Sequence, residues 1–196
     1  MTDSLIALFR QIRQCDVCAS HLPLGPNPVI RGSAKARVLI IGQAPGTKVH
    51  ATSIPWNDPS GDRLRDWLGV NKDTFYDENN IAIMPMGLCY PGRGKSGDLP
   101  PRVECAPKWH QPVLNQMPDI KLTLLIGQYA QNYYLGKSQM NLTQRVQNWQ
   151  DYRPRYWVLP HPSPRNNIWL KRNPWFEREL LPELRTSFQQ ALKKAL

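Results

Sequence analysis

Residues 38–46 read Val38-Leu39-Ile40-Ile41-Gly42-Gln43-Ala44-Pro45-Gly46, an apolar run that ends in a glycine-rich turn. Four consecutive apolar residues are typical of a strand buried on both faces, as in a parallel sheet covered by helices. Other runs along the chain have the same character. The sequence therefore predicts four strands, at residues 37–41, 80–84, 121–126 and 155–159.

Segments with helical spacing lie around and between these runs, at residues 1–13, 62–68, 101–117, 128–135 and 173–195, the last with a break at Pro182. Strands that alternate with helices predict an α/β domain of three layers, with a central four-stranded parallel sheet. At 196 residues we expect a single domain over residues 1–196. Ligands bind such sheets at the carboxyl ends of the strands, so the residues that follow each run are the candidates for a site.

The chain is basic, with 25 Lys and Arg against 15 Asp and Glu, which favours a polyanionic partner such as nucleic acid. Residues 137–196 hold 11 basic and 4 acidic residues, interleaved with tyrosines and tryptophans that suit stacking on unpaired bases. A solvated basic face is the other explanation. The apolar runs are too short to span a bilayer, and the first residues do not read as a signal peptide. We expect a cytoplasmic monomer without a membrane partner.

Four cysteines occur, at Cys15, Cys18, Cys89 and Cys105. A disulfide framework is not expected in a reducing cytosol. Four thiolates brought together suit either Zn²⁺ or an iron–sulfur cluster, and the spacing does not choose between them. Four unrelated buried cysteines are the remaining alternative.

Two polar residues are the main catalytic candidates. His161 follows the last strand between two prolines that fix its backbone, and Asp58 lies in a polar segment after the first turn. Asp58 is also readable as an ordinary turn aspartate, with Asp62 or Ser60 as the cap of the next helix. No Gly-x-x-x-x-Gly-Lys-Ser/Thr or Gly-x-Gly-x-x-Gly sequence is present, so nucleotide hydrolysis and dinucleotide redox chemistry lose their main support. The 42–46 segment alone fits a tight strand-to-helix turn.

Taken together, these residues resemble the uracil-DNA glycosylase superfamily, particularly its family 4 and family 5 branches, and the resemblance covers most of the chain. Residues 42–46 are similar to the first motif, Gly-Glu-Ala-Pro-Gly in family 4 and Gly-Leu-Ala-Pro-Ala in family 5. His161-Pro162-Ser163 matches the His-Pro-Ser of the second motif. The four cysteines match the cluster ligands of these branches in order and approximate spacing.

The resemblance implies a [4Fe-4S] cluster on the four cysteines, with a structural and DNA-positioning role and with zinc as the alternative metal. It implies that Asp58 activates water, since Asp58-Pro59-Ser60-Gly61 resembles the Asp-x-Ser-Gly of family 5. It implies that His161 binds a carbonyl of the flipped base and that Trp56 stacks on it. The expected substrate-binding residues are Gly42, Gln43, Ala44, Pro45, Gly46, Trp56, Pro85 and Ser163. The expected DNA-binding residues, in a loop that approaches the duplex, are Arg165, Asn166, Trp169, Lys171 and Arg172.

The sequence also departs from the family pattern. Pro85 stands where families 4 and 5 carry an Asn that reads uracil, and Gln43 replaces the family 4 Glu. His50 is an alternative water activator. The Arg-rich insert that accompanies covalent crosslinking to DNA is missing after Gly46, so crosslinking is not expected.

The resemblance therefore implies a monofunctional DNA glycosylase of base excision repair that acts on DNA, single- or double-stranded. Its substrate is a deaminated base: uracil, or hypoxanthine or xanthine given the altered pocket. One alternative is a catalytically silent iron–sulfur nucleic-acid-binding protein of the same fold, which the proline at position 85 motivates. An enzyme of free nucleosides is a third possibility, which fits poorly with the basic carboxyl-terminal stretch.

Overall fold

The computed structural model describes residues 2–193 and has a parallel sheet at its centre. The strands are β1 (Val38–Ile41), β2 (Ile81–Ile83), β3 (Arg93–Gly94), β4 (Gly97–Asp98), β5 (Leu122–Ile126) and β6 (Tyr156–Leu159). The central sheet has the order β2-β1-β5-β6, and all its neighbouring strands are parallel. β3 and β4 form a separate antiparallel hairpin. The predicted four-stranded parallel sheet is confirmed.

The helices cover both faces of this sheet. They are α1 (Thr2–Arg13), α2 (Thr47–Thr52), α3 (Pro59–Leu68), α4 (Lys72–Phe75), α5 (Cys105–Leu114), α6 (Gln128–Leu135), α7 (Leu142–Gln147), α8 (Asn167–Arg172) and α9 (Leu181–Leu192). α1 packs against α5, and α3 packs against α9, which also contacts β1 and β5. Every residue of β1, β2 and β5 is buried, as a sheet between two helical layers requires.

Three predicted helices differ from the observed ones, and the first of them, predicted over 62–68, already begins at Pro59. The segment predicted as 101–117 is helical only from Cys105 to Leu114. The segment predicted from 173 begins with a π-helical turn, Phe176–Leu180, and becomes α-helical at Leu181. The helical run continues from the π-helical turn into α9, and Pro182 lies directly after that change, so the helix changes type beside Pro182 and does not end there. Met1 and the predicted end of the last helix at residue 195 lie outside the described residues.

Sequence patterns missed the β3–β4 hairpin and the short helices α2, α4, α7 and α8. These elements have two to six residues, too few for an apolar periodicity to appear. The hairpin and α2 nevertheless border the site described below. Within residues 2–193, no helix combines the length and apolar character that a bilayer crossing needs.

Candidate active site

A pocket opens at the carboxyl edge of the sheet, where β1 and β6 end. It measures about 450 Å³ including its open mouth. Its lining includes Gly42, Gln43, Ala44, Pro45, Gly46, Trp56, Asp58, Pro85 and His161. Ser163 lines an adjoining polar groove that shares Gln43, Asp58 and His161 with the pocket. The structure thus brings together both predicted catalytic residues and the predicted substrate-binding residues.

Trp56 forms one wall of the pocket and is held from several directions. Its backbone has a φ of 58°, and its carbonyl accepts a hydrogen bond of 3.2 Å from Nη1 of the buried Arg65. A Cβ at position 42 would lie 2.8 Å from Cζ2 of the indole, so only glycine leaves room for this ring. The indole centroid lies 5.7 Å from the imidazole centroid of His161. An aromatic face is therefore fixed beside the catalytic candidates.

Asp58 caps α3 and also lines the pocket. Its Oδ1 accepts a 2.9 Å hydrogen bond from the backbone N–H of Gly61. The expectation that Asp62 or Ser60 caps this helix is wrong; Asp62 instead pairs with Arg65 at 2.7 Å. Among the described residues, Oδ2 of Asp58 has no hydrogen-bond partner. One carboxylate oxygen is thus locked by the helix, and the other is available to a water molecule.

The loop that carries His161 is tied down by its own side chains and by α3. Asn166 donates from Nδ2 to the carbonyl of His161 at 2.7 Å. Arg63, which extends from α3, donates to the carbonyl of Ser163 at 3.0 Å and to Oδ1 of Asn167 at 2.7 Å. Arg63 was missed from the sequence, because nothing in its local pattern distinguishes it from other surface arginines.

The imidazole of His161 is mostly shielded from water. Burial lowers its pKa from the ordinary 6.5, and the negative charges of Asp58 and Asp98 partly oppose that shift. The ring is therefore neutral at pH 7 and carries one N–H donor. Asp98, in β4, was also missed. Like Asp58, it lines the polar groove, and its Oδ2 lies beside Gly46.

A family model described as the Uracil DNA glycosylase superfamily matches residues 29–185. The chain belongs to the uracil-DNA glycosylase superfamily. The match contains every pocket residue named above. Enzymes of this superfamily act on DNA and generally hydrolyse N-glycosidic bonds. Cys15 and Cys18 precede the matched range, so the match carries no information about them.

Pro85, where two branches of the superfamily carry an Asn, is supported from behind by a buried histidine. Nε2 of His110 lies 3.1 Å from the Pro85 carbonyl, and Nδ1 lies 2.6 Å from the hydroxyl of Tyr134. A carbonyl only accepts, so Nε2 carries the proton and the tyrosine donates to Nδ1. Burial lowers the pKa of His110 to about 4, which keeps this arrangement neutral. This wall presents an apolar ring and no side-chain hydrogen-bond donor to the pocket.

His50, the alternative water activator, does not line the pocket or the groove. It lies in α2, with its ring centroid 6.3 Å from that of Tyr90. Its Nδ1 is buried and has no partner among the described residues. The geometry favours Asp58 over His50 for contact with a water in the pocket.

The residues predicted to bind DNA fall into two groups. Arg165, Lys171 and Arg172 are exposed, and Nη1 of Arg165 donates to the Ser96 carbonyl of the hairpin at 3.3 Å. Nδ2 of Asn166 and the indole N–H of Trp169 already donate hydrogen bonds inside the protein. Trp169 donates to Oγ1 of Thr143 at 2.8 Å and packs edge-on against Trp175 and Phe176. Both hydrogen bonds hold the loop in place, and the DNA-binding role of the two residues stays a prediction.

The four cysteines gather at the end of the molecule that contains α1 and α5. Cys18, Cys89 and Cys105 are buried, and Cys15 is half-buried. Burial raises the pKa of Cys89 to about 12, and the charges of the other three cysteines add to that rise. The four thiols therefore lie close enough together for their charges to interact. Among the side chains of residues 4–193, no three of His, Cys, Asp or Glu form a group that could hold a metal ion.

Proposed function

We propose that this protein is a monofunctional DNA glycosylase of base excision repair that hydrolyses the N-glycosidic bond of a deaminated base. The observation that carries the proposal is the meeting of Asp58, His161 and Trp56 in one pocket. A carboxylate, a neutral imidazole and an aromatic face are the groups that this hydrolysis needs. Family membership supports the reaction class.

Asp58 orients and activates the water that attacks the sugar. Cleavage of the bond between base and deoxyribose passes through an oxocarbenium-like sugar, which a nearby carboxylate stabilises and which an oriented water attacks. The Gly61 N–H fixes Oδ1, so Oδ2 accepts a hydrogen bond from the water without any loss of side-chain freedom at the moment of reaction. The proton that the water loses passes to this carboxylate.

His161 stabilises the departing base. As the bond breaks, negative charge develops on the carbonyl oxygens of the base, and an N–H aimed at such an oxygen lowers the barrier. A neutral imidazole donates that hydrogen bond without protonating the base. The hydrogen bond from Asn166 and the contact of Arg63 with the same loop keep the imidazole in position.

The base reaches the pocket by leaving the stack, and Trp56 replaces part of the stacking energy that is lost. Ile168, at the start of α8, has 63% of its surface exposed and is suited to fill the gap left in the duplex. Lys171 and Arg172 follow on the same helix and are suited to contact phosphates. A Schiff base with the sugar would require an amine, and the residues lining the pocket include no lysine. The proposed enzyme is therefore monofunctional.

The choice of base depends on the wall at position 85. An Asn there would read the Watson–Crick edge of uracil, whereas Pro85 makes no side-chain hydrogen bond. Apart from His161, the amide of Gln43 is the one neutral side chain lining the pocket that has both donor and acceptor atoms. Uracil, hypoxanthine and xanthine all carry a carbonyl for His161, so all three are proposed substrates.

A [4Fe-4S] cluster held by Cys15, Cys18, Cys89 and Cys105 is part of the proposal. The donor set consists of four thiols that are buried or half-buried and close together. Four thiolates also suit a single zinc ion, which stays the alternative metal. When bound, the cluster would tie the segment after α1 to the segment that precedes the hairpin, and it would have no part in the chemistry.

The test is base release from labelled oligonucleotides that carry uracil, hypoxanthine or xanthine, in single and double strands, with protein purified without oxygen. Wild-type protein should release at least one base. Asp58→Asn and His161→Ala should abolish release, whereas Asp66→Asn, which removes an exposed carboxylate from the same helix, should not.

The second candidate is a silent iron–sulfur protein that binds nucleic acid, and the apolar wall at Pro85 favours it. Protein that binds DNA in a salt-sensitive way and releases no base from any of these substrates would establish that alternative. Turnover of a free nucleoside, unaffected by competing DNA, would overturn both candidates.

A further inference from the structure

A second polar cavity lies between α6 and α7, outside the pocket described above. It measures about 550 Å³ including its open mouth. Amides and cations dominate its lining, and none of its lining residues is acidic. The polar residues that matter here are Gln128, Gln131, Asn132, Lys137, Asn141 and Arg145.

Arg145 is a buried cation without a counterion in the described part of the chain. Its relative exposure is 4%, and no carboxylate of residues 4–193 lies within ion-pair distance of it. Nη1 donates to Oδ1 of Asn132 at 3.1 Å, and Nη2 donates to the carbonyl of Gly136 at 2.9 Å. These bonds use two of its five N–H groups. Buried charges are normally paired, so this guanidinium is suited to meet an anion.

Gln131 gives independent evidence that the cavity takes a ligand. The residue is fully buried, and its Nε2 donates to the carbonyls of Leu125 at 3.2 Å and Leu159 at 3.0 Å. Those two bonds fix which end of the amide is nitrogen. Its Oε1 has no partner among the described residues. The lining of the cavity therefore contains a second buried polar side chain whose hydrogen-bonding capacity the protein leaves unused.

The position of the cavity relates it to the active site. The hydrogen bond from Gln131 to Leu159 ends two residues before His161, about 7 Å along an extended chain. The bond from Trp169 to Thr143 joins α8, the proposed DNA-facing helix, to α7. The cavity therefore lies at the same edge of the sheet as the pocket, on the side of β6 where α7 packs.

We propose that this cavity binds a phosphate group of the DNA strand that carries the flipped base, with Arg145 and Lys137 as its cationic contacts. The proposal rests on the proposed function, because it takes DNA as the ligand. The bound phosphate fixes the strand relative to His161 and leaves the chemistry to the first pocket.

The experiment measures binding of an unmodified, fluorescently labelled single-stranded oligonucleotide as a function of salt. Lys137→Gln changes an exposed side chain, so this variant should fold. It should lower the slope of log K against log salt by about 0.7, the effect of one lost phosphate contact. Lys35→Gln, an exposed lysine before β1, is the matched control and should leave the slope unchanged. An unchanged slope in Lys137→Gln overturns the proposal.

A second arm separates DNA from free phosphate. Phosphate at constant ionic strength should raise the melting temperature of the wild-type protein but not that of Arg145→Gln. Stabilisation by phosphate together with an unchanged DNA slope in Lys137→Gln would show that the ligand is a free phosphate ion, which overturns the assignment to DNA. Because the oligonucleotide carries no lesion, a protein that fails to release bases can still show the predicted slopes. The two proposals therefore fail separately.

Discussion

Asp58 has two separable roles, and a pair of substitutions tests both. Asn is as good a helix cap as Asp, because its side-chain oxygen accepts the same hydrogen bond from Gly61. Ala has no acceptor. Both substitutions remove the carboxylate that contacts the water. Asp58→Asn should therefore lose activity alone, whereas Asp58→Ala should lose activity and stability.

The expected magnitudes follow from the two roles. Loss of the cap costs about 1 kcal/mol in Asp58→Ala, which lowers the melting temperature by about 2–4 °C in a chain of this size. Loss of a general base slows the reaction by roughly 10²–10⁴-fold, or about 3–5 kcal/mol of barrier. A protein with roughly 5–15 kcal/mol of folding free energy stays folded after losing one, so instability cannot account for the slower reaction.

The assay combines thermal unfolding with single-turnover base release on the substrate that wild-type protein prefers. Both variants should fall to the same low rate, while only Asp58→Ala melts earlier. Release by Asp58→Asn within tenfold of wild type would refute the assignment of Asp58 as the water activator. Equal melting temperatures for the two variants would refute its role as the cap.

Three further outcomes follow from the structure. Between pH 7 and pH 5 the folded protein should lose about 2 kcal/mol of stability, because the unfolded chain protonates His110 near pH 6.5 whereas burial holds its folded pKa at about 4. Urea unfolding at the two pH values measures this loss. A loss of the same size in His110→Gln would assign it to other groups. Gly42→Ala should cost about 1–3 kcal/mol in thermal unfolding and slow base release, since its methyl group would displace the indole of Trp56; a wild-type melting temperature would contradict that packing. Ile168→Ala should leave the melting temperature unchanged, because the side chain is exposed, and should slow release from duplex more than from single strands; equal effects on both substrates would exclude its role in the duplex.

The sheet and most of the pocket were predictable from the sequence because they depend on short-range signals. Apolar runs mark β1 and β6, and the turns after them place Gly42 and His161 at the same edge. The supports of the site were not predictable. Arg63 acts on a loop about 100 residues further along the chain, and that distance leaves no local pattern.

Sequence patterns also do not show whether a single side chain is exposed or packs against the core. The sequence placed Trp169 in a loop expected to approach DNA and left open whether its ring is exposed. The structure bonds its N–H to a hydroxyl on α7 and packs the ring against two neighbouring rings. Only tertiary packing decides between exposure to DNA and contact with the core. Asp98 was missed because a two-residue strand has no periodicity to mark it.

The two sides of the pocket are supported by different parts of the molecule. His110 and Tyr134 brace Pro85 from α5 and α6, whereas α3 supports Asp58 and, through Arg63, the loop of His161. Substitutions at position 85 therefore need not disturb the bond-breaking groups. Under the proposed function, the preferred base can therefore change through position 85 while Asp58 and His161 stay in place. This division of support also gives an engineer one wall to redesign while the opposite wall keeps its chemistry.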